Sequence, residues 1–267
     1  MKRAENNKNE EEEEEQEINA RPLILAVIPT LNDDPTNTIK SIINQTVKVS
    51  KILVAVGSKE LHRKLISTKK GDFIEFHYVK PNFQDPVSKR VAAALNVVLS
   101  KVRLEEYDYL LRVDADTILP RRFLEENLKV NADCVAEGGY AMLIKVSSFI
   151  KHFNGRFAVV EGEDSYIGFK LLSRGRIVKS YVLPPKLTRK SGAHHSWKYY
   201  FGRGIARYKF GYGPIHIIGS LYRDIRNVFA ILGYFFAFLK RMERHDFARW
   251  VFKTQFKRLL QGKTRLW

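Results

Sequence analysis

The chain is predicted to be an α/β protein: a mostly parallel sheet with helices on both faces, followed by a basic, aromatic, helical C-terminal extension. Three observations lead there. Short apolar runs alternate with helix-like segments from Leu23 onward. Two of those segments open on an Asp-Pro pair, Asp34-Pro35 and Asp85-Pro86, a cap followed by a residue suited to the first helical position. Beyond Pro184-Pro185 the alternation gives way to Lys, Arg and aromatic residues.

Residues 23–28 read as a buried strand, and Asp34-Pro35 starts a helix running towards Gln45. Residues 51–56 are the next strand, 60–69 a helix and 73–79 a third strand. The helix opened by Asp85-Pro86 runs to about residue 102 and turns Val91, Ala94, Leu95 and Val98 to one side. Residues 107–113 are the fourth strand. This order predicts a sheet covered on both faces, with its ligand crevice beyond the strands' carboxyl ends. Three loops fall there: Pro29-Thr30-Leu31-Asn32, Gly57-Ser58 and Asp114-Ala115-Asp116. Further on, 121–129 is expected to be helical, 134–146 a strand broken at Gly138-Gly139, and 163–174 a helix closed by Gly175. Gly202, Gly204, Gly211 and Gly213 break the pattern that follows.

With 267 residues, 45% of them hydrophobic, the chain can build one large core. Residues 1–20 are the exception. They hold eight Glu and almost nothing apolar, too little to offset ordering entropy, and are expected to be a disordered acidic tail. The tail has no apolar stretch resembling a secretory signal, so the globular part is expected in the cytoplasm. The single Cys134 excludes an internal disulfide framework and reads as a small buried hydrophobe on a strand. Of the formal charge of +17, +15 lies in residues 186–267. That field calls for an anionic partner: nucleic acid, acidic lipid headgroups or a phosphorylated substrate.

Asp114-Ala115-Asp116 ends an apolar strand, where paired carboxylates suit Mg²⁺ or Mn²⁺ bound to a diphosphate. Glu163-Asp164 opens a helix and has two readings: carboxylates favoured by the helix dipole, or a general base for an acceptor hydroxyl. Lys89 and Arg90, in a helix's first turn, are either anion ligands or solvent-facing cations. His194-His195 offers a metal ligand or plain polar surface. Trp197, Tyr199, Tyr200, Phe201 and Arg203 either stack on a ligand or seal the core.

In chain order, Ile28-Pro-Thr-Leu-Asn32, Ser41-Ile-Ile-Asn-Gln-Thr46, Gly57-Ser58, Lys89-Arg-Val-Ala-Ala-Ala-Leu-Asn96, Asp114-Ala-Asp116, Met142-Leu-Ile-Lys145 and Gly162-Glu-Asp-Ser165 resemble the inverting family-two glycosyltransferases of the GT-A fold. The resemblance spans about Leu23 to Gly213, within an expected domain of residues 21–213, and implies sugar transfer from a nucleotide-diphosphate sugar, by one displacement that inverts the anomeric carbon. It implies that Pro29, Thr30 and Asn32, with Gly57, Lys89, Arg90, Asp114 and Ala115, border the donor. Asp114 and Asp116 would hold the metal, to which residue type alone adds His195 as a candidate ligand, and Asp164, beside Glu163, would be the base. Two departures matter. Family members carry an Asp before the Gly-Ser pair, where this chain has Val56. The Gln-x-x-Arg-Trp pattern of processive synthases is missing, which favours single-sugar transfer.

Residues 227–239 are uncharged between Arg226 and Lys240-Arg241. As a helix they span roughly 20 Å, against about 30 Å of hydrocarbon. The expectation for residues 214–267 is therefore a helical extension in peripheral contact with an anionic membrane, or packed on the domain or on a second copy. The acceptor is expected to be a lipid-linked or membrane-proximal glycan. The competing class is a basic nucleic-acid-binding module without transferase activity, which the charge alone supports.

Overall fold

The computed structural model describes residues 21–67, 71–188, 196–222 and 224–261. The acidic tail and His194-His195 lie outside the described residues. The first half alternates as predicted: β1 (Ile24–Thr30), α1 (Thr36–Ile43), β2 (Lys51–Val56), α2 (Lys59–Ser67), β3 (Ile74–Tyr78), α3 (Val87–Leu99) and β4 (Tyr109–Val113). After β5 (Thr117–Ile118) and α4 (Phe123–Leu128) come β6 (Cys134–Ala136), β7 (Ala141–Lys145), α5 (Val146–Phe153) and α6 (Glu163–Ser173). Two short strands follow, β8 (Val178–Lys179) and β9 (Lys186–Leu187).

The seven-stranded sheet runs β3-β2-β1-β4-β7-β6-β8, and β5 pairs with β9 separately. All of its pairs are parallel except the two made by β7. The chain expected as one broken strand over 134–146 instead reverses between β6 and β7, because a connection of residues 137–140 is too short for a parallel crossover. It then becomes helical at Val146. There Val146, Phe149 and Phe153 recur at helical spacing and enter the core.

Side-chain alternation explains why the strands are continuous apolar runs. Ile24, Ala26 and Ile28 enter the core under α1 and α4, while Leu25 and Val27 enter the core under α3, α5 and α6. Cys134 is buried there, its thiol pushed up to about 12 by burial, as an inert hydrophobe.

Helix starts differ slightly from expectation. Pro35 precedes the first helical residue, Thr36, and Asp34 Oδ1 accepts the Thr36 N–H at 3.0 Å. Pro86 likewise precedes Val87, without a side-chain cap, and α3 ends at Leu99.

Four further α-helices follow among the described residues: α7 (Trp197–Phe210), α8 (Pro214–Gly219), α9 (Val228–Leu239) and α10 (Ala248–Leu260). Gly202 and Gly204, expected to interrupt structure, lie inside α7. The reason is a close helix crossing. A Cβ on Gly204 would stand 1.9 Å from the Ala230 carbonyl oxygen, and one on Gly233 would stand 2.0 Å from that of Phe201. Helix α10 returns to the domain, where Phe247 and Val251 pack with Phe169 of α6 and with Ala206 and Phe210 of α7. Among the described residues no helix is long and apolar enough to cross a membrane.

Candidate active site

Because β1, β2 and β4 are adjacent and parallel, their carboxyl ends share one edge of the sheet. The start of α6 is tied to that edge by a residue the sequence reading passed over. Arg112 sits in β4 between wholly buried Leu111 and Val113, and is itself 3% exposed. A guanidinium taken out of water needs carboxylate partners. It finds two: Nη2 lies 3.2 Å from Asp114 Oδ1 and 3.0 Å from Glu163 Oε1. Arg112 therefore joins the strand-end motif to the helix-start motif. An arginine inside the run 109–113 was the signal, since charged residues are seldom buried unpaired.

The electrostatics follow from this geometry. Burial raises Asp114 above the ordinary carboxylate range, against the pull of Arg112 and with the charges of Asp116 and Asp164 adding to the rise. Burial also pushes Glu163 up to about 7, opposed by Arg112 and reinforced by Asp164 and Asp114. Burial alone would lower Arg112, but Asp114, Glu163 and Asp164 together hold it above its usual value. These carboxylates thus act on one another across a single site.

Asp164 and Glu163 face different surroundings. Glu163 is 4% exposed and lies beneath, on Arg112. Asp164 is partly exposed and rests on Gly139, where an added Cβ would fall 2.9 Å from Asp164 Oδ2 and 3.1 Å from its Cβ. The Gly138-Gly139 break is thus a seat for Asp164. The Asp114 N–H donates to the carbonyl of the next residue in that loop, Tyr140, at 2.9 Å.

Helix α1 and the segment after β9 brace the Asp114–Asp116 turn. Buried Thr38 donates through Oγ1 to the Ala115 carbonyl at 2.7 Å. Thr188 donates to the Asp116 carbonyl through its N–H at 2.9 Å and its Oγ1 at 2.8 Å. Gln45 donates to the Pro120 carbonyl at 2.8 Å and accepts the Leu124 N–H at 3.0 Å, fixing the chain beyond the turn. Sequence reasoning found Gln45 as part of a motif but missed Thr38 and Thr188, whose partners are backbone atoms distant in sequence.

The other predicted residues lie on the same edge. Pro29 and Thr30 end β1, Asn32 is exposed beyond it, and the Gly57 N–H donates to the Thr30 carbonyl at 2.8 Å. A Cβ on Gly57 would fall 2.6 Å from Leu31 Cδ1, so the two loops touch. Lys89 and Arg90 occupy the first turn of α3, which follows β3 and so starts on this edge. The Arg90 guanidinium lies 5.3 Å over Phe83, and its buried Nε has no hydrogen-bond partner among the described residues. His195 lies outside the described residues.

Among the described residues no group of three or more His, Cys, Asp or Glu side chains is arranged to hold a metal ion. Asp114 and Asp116 on a braced turn nonetheless fit a hard divalent cation of the kind held by one or two carboxylates together with substrate phosphates and water.

No family model matches the chain, and no curated protein does. Among solved structures it is similar to glucosyl-3-phosphoglycerate synthase from Mycobacterium tuberculosis. In the complex with Mn²⁺, UDP and glucosyl-3-phosphoglycerate the identity is 14%, over 63% of this chain and 73% of that one, with a TM-score of 0.46. In the complex with Mn²⁺, UDP and phosphoglyceric acid the identity is 15%, over 63% and 72%, with a TM-score of 0.47. The chain is also similar to the glycosyltransferase GlyE of Streptococcus pneumoniae, at 14% identity over 60% of this chain and 45% of that one, with a TM-score of 0.36.

Proposed function

We propose that residues 21–213 form a GT-A glycosyltransferase that moves one sugar from a nucleotide-diphosphate sugar to an acceptor hydroxyl, inverting the anomeric carbon. The observation that supports this most is Arg112, which holds Asp114 of the strand-end motif and Glu163 of the helix-start motif on one guanidinium, with Asp164 next in sequence. The ion pairs that satisfy the buried guanidinium also bring the two carboxylate motifs together, an arrangement that a reaction joining a metal-bound diphosphate to a nucleophile requires.

In this reading Pro29, Thr30, Asn32 and Gly57 border the nucleoside, and Lys89 and Arg90 face its phosphates. Asp114 and Asp116 hold Mg²⁺ or Mn²⁺, which when bound neutralises charge on the leaving diphosphate. Asp164 accepts the proton of the acceptor hydroxyl as its oxygen bonds to the anomeric carbon. The bond from that carbon to the diphosphate breaks, and the nucleoside diphosphate leaves with the electron pair. Gly139 seats Asp164, and Glu163, held by Arg112, anchors the helix start behind it. The acceptor is a lipid-linked or membrane-proximal glycan, and the protein works peripherally on the cytoplasmic face of the membrane.

A thermal-shift screen of nucleotide sugars with and without Mn²⁺ tests the reading. We expect one donor to raise the unfolding temperature only when the metal is present. A screen without any such donor, alongside salt-sensitive oligonucleotide binding, would support a nucleic-acid-binding module instead.

A further inference from the structure

Helix α9 is apolar all round, which normally means burial on all sides. Here it is buried on one side only. Ala230, Gly233, Tyr234 and Ala237 form the inner stripe, and the glycine notch brings that stripe hard against α7. The opposite stripe is exposed: Val228 at 41%, Leu232 at 54%, Phe235 at 42% and Leu239 at 77%. The segments leading into α9 add Ile218 at 51% and Ile225 at 77%. Nothing among the described residues covers this face.

The exposed stripe is rimmed by cations. Arg226, ion-paired with Asp224 at 3.0 Å, precedes α9, and the exposed Lys240 and Arg241 follow it. A second copy of the chain is a poor cover, since a two-fold contact would set the basic rims against each other. A bilayer with anionic headgroups matches both properties: its acyl boundary takes the aliphatic and aromatic side chains while its phosphates meet the rim. Twelve residues of α9 span about 18 Å, enough to lie in the interface and too little to cross.

We infer that the outer face of α9, with Ile218 and Ile225, seats the protein on the surface of an anionic bilayer. Helix α7 connects this seat to the candidate site. Gly204 meets α9, while on α7's other side Gly202 adjoins Glu161, and Phe210 adjoins Gly162, in the turn just before Asp164. A hydroxyl carried on a lipid anchored beneath α9 approaches Asp164 from the α7 side. That last step rests on the transferase reading; the seat does not.

The test is co-sedimentation of the full-length protein with phosphatidylcholine vesicles and with phosphatidylcholine–phosphatidylglycerol vesicles, without donor or metal. We expect strong binding to the anionic vesicles only, and at least a tenfold loss of partitioning in the Leu232→Ser/Phe235→Ser/Leu239→Ser variant. Lys240→Glu/Arg241→Glu should weaken anionic binding without touching the apolar stripe. Circular dichroism and donor-induced thermal shifts should match wild type in both variants, separating failure of the seat from failure of the transferase reading. No sedimentation with either vesicle, or a wild-type dimer that the apolar variant converts to monomer, overturns the inference.

Discussion

Replacing Glu163 with Gln should remove a defined pH dependence from stability. Glu163 is 4% exposed, and burial raises its carboxyl from 4.5 to about 7. A folded-state value above the unfolded one means that the native protein binds this proton more tightly. The contribution is present in full below about pH 4.5 and is lost as pH rises through about 7. The span corresponds to about 3 kcal/mol. Urea unfolding followed by tryptophan fluorescence, at steps from pH 4.5 to 8, measures it. The informative quantity is wild type minus Glu163→Gln, which cancels every other group that responds to pH. That difference should move by about 3 kcal/mol against the wild type as pH rises. A difference independent of pH, or one that moves in favour of the wild type, would refute the burial argument for Glu163.

Three further outcomes follow from the geometry. Gly139→Ala places a methyl 2.9 Å from Asp164 Oδ2; turnover should fall at least tenfold while calorimetric donor affinity stays within twofold. Gly233→Ala sets a Cβ 2.0 Å from the Phe201 carbonyl oxygen. The overpacking, about 1–3 kcal/mol, should exceed the roughly 1 kcal/mol that Ala gains in helix propensity, and differential scanning calorimetry should show a lower Tm. Chelation with EDTA should weaken nucleotide-sugar binding at least tenfold without moving the unfolding midpoint of the free protein, because Asp114 and Asp116 would otherwise face the diphosphate without a cation.

The sheet was legible because its strands are buried on both faces and so appear as unbroken apolar runs; residues 51–56 coincide with β2 throughout. The start of α5 was hidden because Val146 follows Ile144 and Lys145 in a strand-like apolar–polar alternation, and only contacts further along, at Phe149 and Phe153, reveal the change of period. The two-residue strands β8 and β9 exist through partners distant in sequence, which local patterns do not carry. At the candidate site the acidic motifs were visible as types and spacing. What joins them was not: Arg112 looked like one charge in a strand, and Gly139 and Gly204 looked like interruptions. Their roles come from what approaches them in space.

The most direct measurement is titration calorimetry of the cognate nucleotide sugar with Mn²⁺, paired with turnover, for wild type, Asp116→Ala and Asp164→Asn. We expect Asp116→Ala to lose donor binding, and Asp164→Asn to bind donor as wild type does while turnover disappears. Turnover retained by Asp164→Asn, or donor binding unchanged in Asp116→Ala, would contradict a single site in which the two carboxylates divide the work.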